Sequence, residues 1–253
     1  MMKTDRGLVQ DLLDTIGPNL TPRGYQFRMA KIGYSLADKF LAAGMPDANA
    51  FHVVTAVEDF EGLAAGVINR LRRHTPKITY SCLWPRHKVL SEQPPIEICA
   101  IDQAFTQKQP DGPFQILFVA ANVGSVSALK AMMLHTVADR RYDGVGSYQI
   151  LTPVAHKDAA HQLKSESPEK WRNRIDWTVL ALDYEKSLGG FTVPGLRGNP
   201  SVLAGLPTPY DREQFIPLKI RDDFNFPLDP GPEPEPTPRA NRENGGGTPK
   251  LGG

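Results

Sequence analysis

The sequence lacks long apolar runs, and it has few cysteines and little net charge. No stretch of 18 apolar residues occurs among its 253 residues, which excludes a membrane-spanning helix. The opening residues, MMKTDRGLVQDLLD, contain no apolar core of the kind found in secretory signals, so we expect none. Two cysteines, Cys82 and Cys99, lie within apolar runs and indicate reduced, buried thiols in a cytoplasmic protein. A formal net charge of +1 argues against a nucleic-acid partner.

Several common active-site motifs are also missing. There is no G-x-x-x-x-G-K-[ST] phosphate loop, no G-x-G-x-x-G turn that opens a helix after the first strand, and no G-x-S-x-G nucleophile elbow. The first two absences argue against a P-loop NTPase and a Rossmann dinucleotide site. His156 and His161 are five residues apart, which does not place both on one helical face as a pair of metal ligands.

What is present between residues 51 and 183 is an alternation of apolar strand patterns and helical patterns. The predicted strands are FHVVTAV (51–57), KITYSCLW (77–84), IEICAID (96–102), QILFVAA (115–121), YQILTPVA (148–155) and WTVLALD (177–183). Helical spacing is predicted over 60–71, 129–137 and 157–163, and in two earlier helices, the second capped by Thr21. This alternation predicts an α/β fold, a mainly parallel sheet with helices on both faces.

Composition divides the chain into four parts. We expect a helical extension over 1–24, an α/β core over 25–186 and a Gly/Pro-rich C-terminal extension over 187–225 with enough apolar residues to pack on the core. Residues 226–253 are dominated by Pro, Gly and charge and predict a disordered tail, because they cannot bury enough surface to offset the entropy of ordering. Such a tail, ending in Gly252-Gly253, is a candidate segment for binding a protein partner.

The order of these segments resembles that of the type I phosphoribosyltransferases. FHVVTAV-EDFEG occupies the place of the family's first strand and pyrophosphate loop, and KITYSCLW with Pro85–Pro95 that of the second strand and mobile loop. QILFVAA-NVGSVSALK occupies the place of the strand, phosphoribosyl loop and helix. The resemblance implies a phosphoribosyltransferase-like fold, a small nucleotide or phosphosugar as ligand and Mg²⁺ as cofactor, and it leaves a homodimer open.

The segment after the fourth α/β strand, residues 115–121, is the candidate phosphate site. It consists of Asn122, Val123, Gly124, Ser125, Val126 and Ser127. Backbone N–H groups, the positive end of the helix dipole and two hydroxyls would all face an anion here. A second interpretation is equally open, in which Ser125 only caps the helix and Ser127 lies in its first turn.

Acidic residues depart from the family pattern. In that family two adjacent carboxylates begin the phosphoribosyl loop, but here Ala121 and Asn122, or Ala120 and Ala121, stand in their place. Glu58, Asp59 and Glu61 either complement the N-terminus of the next helix or face the crevice and replace the missing acids, holding Mg²⁺ or ribose hydroxyls. Spacing favours Glu58 and Glu61 on one helical face.

Residues in or near the predicted mobile loop are candidates for substrate contact. Arg86, His87 and Lys88 could bind phosphate, and Trp84 could stack on a base or pack in the core. Lys130, one turn into the helix after Gly124, could reach back to a phosphate.

Three functional interpretations remain open. The first is a phosphoribosyltransferase-like protein with a nucleotide- or phosphoribosyl-binding crevice, in which Glu58 and Asp59 act as catalytic residues and the missing acids impair turnover. The second is a non-catalytic nucleotide sensor or scaffold that acts through its C-terminal extension. The third is an unrelated α/β domain with a purely structural NVGSVS turn.

Overall fold

The computed structural model describes residues 13–14, 16–17, 19–44, 50–92, 95–138, 145, 147–187, 190–193 and 195–224. The predicted tail over 226–253 lies outside these residues, and so does most of the helix expected before residue 17. Among the described helices, none is both long and apolar enough to cross a lipid bilayer.

The described helices lie mostly between the strands. Their bounds are α1 Pro22–Ala42, α2 Val57–Asp59, a π-helical turn Phe60–Ala64, α3 Ala65–Arg72, α4 Ser127–Ala138, α5 Ala159–Glu166, α6 Glu169–Arg172, α7 Pro200–Leu203, α8 Pro209–Gln214 and α9 Leu218–Phe224. The predicted cap of α1 is confirmed, because the Thr21 hydroxyl accepts a hydrogen bond from the Gly24 N–H at 3.1 Å.

Seven of the described strands form one sheet. Their bounds are β1 Phe51–Ala56, β2 Ile78–Glu92, β3 Pro95–Thr106, β4 Gln115–Val119, β5 Asn122–Val123, β6 Tyr148–His156 and β7 Ile175–Asp183. The spatial order is β3-β2-β1-β4-β6-β7, and β5 continues the line of β4 beside β6. Every pairing is parallel except that of β2 with β3. The predicted α/β class with a mainly parallel sheet is confirmed. Two further short strands, β8 Glu185–Lys186 and β9 Thr192–Val193, form a separate hairpin.

The central strands β1, β4 and β6 are buried on both faces, which explains their continuous apolar runs. One apolar layer joins α1 and α3 to β1, β2 and β4, with Ile32, Leu63 and Leu71 fully buried. The opposite layer joins α4 and α5 to β4 and β6, with Met132 and Leu163 among its members. β1 and β4 lie at the centre of the sheet and are buried along their whole lengths.

The region between residues 85 and 95 differs from the sequence prediction. It was expected as a Pro-rich connection and mobile loop between two short strands, but β2 continues to Glu92 and pairs with β3 in a long antiparallel hairpin. Pro85 is accommodated where the register of this pair shifts, between Trp84 and Pro85. Proline is tolerated in a strand at such an irregularity because the missing N–H interrupts no ladder bond. The prediction that both cysteines are buried is correct for Cys82 but wrong for Cys99, which lies on β3 at the sheet edge and is partly exposed.

Candidate functional site

A cleft of about 300 Å³ opens at the carboxyl ends of β1 and β4. After β1 the chain builds β2 and β3 on one side, and it then returns to place β4 on the other side of β1. In open α/β sheets the crevice at such a reversal of strand order is where ligands bind. The walls come from four segments: residues 56–59, 85–87, 120–132 and parts of the C-terminal extension, residues 190–212.

Asp59 is the most unusual group in this cleft. Its side chain lines the cleft, although the residue is only 6% exposed. One carboxyl oxygen, Oδ2, accepts a hydrogen bond of 2.8 Å from the Ala121 N–H, whereas Oδ1 is buried without a partner among the described residues. Burial, followed by the charge of Glu58, raises the pKa of Asp59 to about 8, against the lowering effects of the Ala121 N–H and Arg212. Burial therefore favours the protonated form of Asp59, and because Oδ2 is already an acceptor, the proton of that form belongs on Oδ1.

Glu58, the neighbouring acid, is paired with an arginine from the C-terminal extension. Arg212 Nη2 lies 3.3 Å and 3.2 Å from the two carboxylate oxygens of Glu58 and donates a third, shorter bond of 2.7 Å to the Pro85 carbonyl. Both charged side chains are mostly buried, at 19% and 15% exposure. The pair ties α8 to the first turn after β1, and it leaves no uncompensated negative charge on Glu58.

Glu61 does not join this pair of acids. It binds the Gln26 amide and the Leu218 N–H, and it lines a separate pocket between α1 and α9. The expectation that Glu58 and Glu61 share a face was therefore wrong. The physical reason is the π-helical turn that begins at Phe60. Its i→i+5 bonding adds a residue to the turn, so the α-helical rule for residues three apart does not apply.

The NVGSVS turn forms another part of the cleft wall and directly follows Ala121, whose N–H binds Asp59. Asn122, Val123, Gly124 and Ser125 line it, whereas Val126 is buried in the core and Ser127 is not among the lining residues. The hydroxyls of Ser125 and Ser127 lie 2.8 Å apart, and the Ser127 N–H donates to Ser125 Oγ at 3.4 Å. Because α4 begins at Ser127 and the Val126 carbonyl accepts its first helical bond, from the Lys130 N–H at 2.8 Å, Ser125 lies one residue before the N-cap position that the sequence suggested for it. Ser125 still borders the cleft.

The C-terminal extension holds this turn from outside. The side chain of Asn122 exchanges two hydrogen bonds with Thr192, donating to its hydroxyl at 2.8 Å and accepting from its N–H at 3.3 Å. Gly124 packs against the backbone of Gly190, whose carbonyl oxygen would lie 2.0 Å from a Cβ at position 124. Gly124 is therefore required for close approach, and the group that approaches is the protein's own backbone.

The substrate-loop candidates are placed apart from the main cleft. The Trp84 indole N–H donates to the carbonyls of Arg212 and Phe215, and the residue is almost fully buried, as its packing interpretation predicted. Arg86 pairs with Asp102 at 2.6 Å. Lys88 is exposed. Lys130 does not reach back to the turn and pairs instead with Glu166 at 2.5 Å.

His87, one of the basic residues expected near the mobile loop, lines the cleft, because the period-two alternation of β2 separates it from Arg86 and Lys88. Arg212, by contrast, was missed by sequence reasoning. Arg212 carries no local signal, because 154 residues separate it from its partner Glu58.

Comparisons with known proteins bear on the fold alone. No protein-family model and no curated protein matches the sequence. Among solved structures, the AQ2163 protein from Aquifex aeolicus has a TM-score of 0.59 at 9% identity, over 82% of this chain and 98% of that chain. The chain shares an α/β fold with this Aquifex protein.

Two other solved structures are more distant. A hypothetical protein from Neisseria gonorrhoeae with bound ppGpp has a TM-score of 0.40 at 13% identity, over 62% of this chain and 80% of that chain. The hypoxanthine phosphoribosyltransferase from Trypanosoma cruzi, in complex with the product IMP, has a TM-score of 0.32 at 11% identity, over 66% of this chain and 79% of that chain. Scores at this level carry no argument about function, which has to come from the cleft itself.

Proposed function

We propose that this protein binds the phosphate ester of a ribose, as a nucleotide or a phosphosugar, in the cleft between β1 and β4. The observation that carries the proposal is Asp59, a residue of the cleft wall whose Oδ1 is buried without a partner among the described residues. A buried polar group without a partner costs about 1–3 kcal/mol, which a ligand that satisfies it would recover. In the same cleft, the Gly124–Ser125 turn leads into α4, whose N-terminus favours an anion.

The two walls suit the two parts of such a ligand. The Ser125 hydroxyl and the N-terminus of α4 supply hydrogen-bond donors and positive potential for the phosphate. Asp59 supplies a carboxyl oxygen for a ribose hydroxyl, and its protonated form also offers one O–H donor. In this arrangement Asp59 takes over hydroxyl contacts that the absent acid pair of the phosphoribosyl loop would have made.

Catalytic turnover has weaker support than binding. Ala120, Ala121 and Asn122 place no carboxylate at the end of β4, so no negative charge at that strand would stabilise an oxocarbenium-like transition state. A second candidate, a non-catalytic nucleotide sensor, is favoured by one contact in particular. Arg212 joins the cleft directly to the C-terminal extension, so a ligand that disturbs the Glu58–Arg212 pair would change the contacts of α8.

A thermal-shift titration tests the proposal. The ligands are ribose 5-phosphate, phosphoribosyl pyrophosphate and a panel of nucleoside 5′-monophosphates, each with MgCl₂ and with a chelator. A ligand at 100 times its Kd adds about 2.7 kcal/mol to the free energy of unfolding, or about 5–10 °C in Tm for a domain of this size.

Two alanine variants locate the binding site. Ser125→Ala should reduce the shift, whereas Ser165→Ala on the exposed surface of α5 should not. No shift in Tm with any ligand would refute the proposal. A shift that is the same in Ser125→Ala and in the wild type would show that the phosphate does not bind at Ser125.

A further inference from the structure

We infer that Arg212 is the cation that recognises the anionic group of the ligand, and that binding therefore needs no divalent metal. The inference rests on the proposed function and names the charge on which that site depends. Arg212 belongs to the C-terminal extension and lines the same cleft as Asp59, Gly124 and Ser125. It thus brings a positive charge to the walls that would surround a phosphate.

The guanidinium of Arg212 has donor capacity left. Nη2 makes the bonds to Glu58 and to the Pro85 carbonyl, whereas Nε is buried without a partner among the described residues. An arginine presents five N–H donors in a planar fork that matches a phosphate or carboxylate. Its long contacts of 3.2–3.3 Å to Glu58 are weaker than an optimal charge-assisted bond of about 2.7–2.9 Å, so Glu58 can be displaced by a better-placed anion.

The backbone of Arg212 is held in place before any ligand arrives. The Arg212 and Phe215 carbonyls both accept from the Trp84 indole N–H, at 2.9 Å and 3.3 Å. The start of α8 is fixed by a reciprocal capping box between Thr208 and Asp211. A fixed backbone lowers the entropy that Arg212 would lose on binding, which is the condition for effective recognition.

The carboxylates that a metal would need are already engaged. Mg²⁺ prefers ionised carboxylate oxygens, usually one or two together with phosphate oxygens of the substrate. In this cleft Glu58 is compensated by Arg212, and Asp59 bonds to the Ala121 N–H at a buried position that raises its pKa and so disfavours its ionised form. In the part of the chain that the structure describes, no three His, Cys, Asp or Glu side chains are grouped to hold a metal ion. The Mg²⁺ implied by the family resemblance does not fit these residues.

The arginine and metal alternatives predict opposite effects for the two partners of the ion pair. If Arg212 binds the anion, Glu58 competes with the ligand, so Glu58→Gln should tighten binding and Arg212→Gln should weaken it. If Glu58 helps to hold a metal, Glu58→Gln should weaken binding. Removal of Arg212 would then release Glu58 to bind the metal, and ligand binding would become tighter.

The experiment is isothermal titration of the full chain with ribose 5-phosphate and with AMP, in a buffer with excess EDTA and in one with MgCl₂. The variants are Glu58→Gln, Arg212→Gln and Arg212→Lys. Lys219→Gln is the matched control, because it removes one positive charge and an ion pair with Asp223 from the same extension without touching the cleft. Circular dichroism shows whether each variant is folded. If Arg212→Gln does not fold, the effect of Glu58→Gln on binding still tests the inference.

In EDTA we expect Arg212→Gln to bind about tenfold or more weakly than the wild-type chain, and Arg212→Lys to restore part of this loss. Lys219→Gln should bind as the wild type does, and Glu58→Gln should bind equally or more tightly. Binding that requires MgCl₂ and is lost in Glu58→Gln would overturn the inference and leave the proposed function standing. Binding in EDTA that ignores Arg212→Gln would overturn it as well. If the wild-type chain binds neither compound in either buffer, the proposed function itself fails for these ligands, and the inference falls with it.

Discussion

Replacement of Asp59 by asparagine should make the stability of this protein less dependent on pH. The side chains have nearly the same shape, and an asparagine carbonyl can accept the Ala121 N–H in place of Oδ2. Asparagine cannot ionise, however. The change therefore removes the buried titration and keeps the packing and the one hydrogen bond that Asp59 makes.

The expected size of the effect follows from the pKa of Asp59. In the unfolded chain this carboxyl loses its proton near its ordinary value of 3.8, but in the folded protein it keeps the proton up to about pH 8. Between these values the folded state binds one proton more than the unfolded state, so the free energy of unfolding falls by about 1.4 kcal/mol per pH unit. The contribution of this group is complete below about pH 4 and is lost by about pH 8, a total of about 5–6 kcal/mol as an order of magnitude.

The measurement is urea unfolding of the wild-type protein and of Asp59→Asn at every half pH unit from about 5 to about 9, which spans the predicted titration. Fluorescence reports the transition through the buried Trp84 and Trp171. The stability of the variant relative to the wild type should rise by roughly 1.4 kcal/mol per unit up to about pH 8 and then level off. Asp111→Asn is the control, since it makes the same chemical change at a side chain that is 94% exposed, and its difference from the wild type should not vary in this way.

A difference between Asp59→Asn and the wild type that stays constant across this pH range would refute the reasoning. It would mean that Asp59 ionises in the folded protein near its ordinary pKa. The cleft would then hold a carboxylate rather than an O–H donor, and the argument against a metal would lose one of its two supports.

Two further changes test how the C-terminal extension is attached. Trp84→Phe removes the indole N–H that binds the Arg212 and Phe215 carbonyls. It should lower the free energy of unfolding in urea by about 1–3 kcal/mol and speed proteolytic cleavage within residues 207–217. An unchanged cleavage rate would contradict the anchoring role of Trp84. Gly124→Ala places a Cβ 2.0 Å from the Gly190 carbonyl oxygen, so Tm should fall by several degrees. Gly17→Ala is the control, because no atom lies within 4 Å of its Cβ, and it should leave Tm nearly unchanged. Equal effects of the two changes would show that the turn at Gly124 can move aside.

The sequence alone determined the α/β class and the parallel strands. Buried parallel strands must be apolar on both faces, so continuous apolar runs such as FHVVTA and QILFV predict them directly. The Thr21 cap was also predictable, because an N-cap hydroxyl and the proline after it are local signals. Within the cleft, Asp59, Gly124 and Ser125 could be named as candidates because each follows directly on a predicted strand, where α/β sheets bind ligands.

Only the tertiary structure decided how these candidates differ. The sequence could not separate Asp59 from Glu61, since a π-helical turn is not visible in spacing, and it could not show that burial favours the protonated form of Asp59. The sequence predicted that β2 ends near Trp84, because a proline such as Pro85 usually terminates a strand. The register shift that accommodates Pro85 depends on the partner strand β3 and is not visible in the local sequence. Arg212 was out of reach for the same reason. Periodicity and caps are encoded within a few residues, whereas the charge that completes the cleft comes from a segment 154 positions away and is placed by the fold.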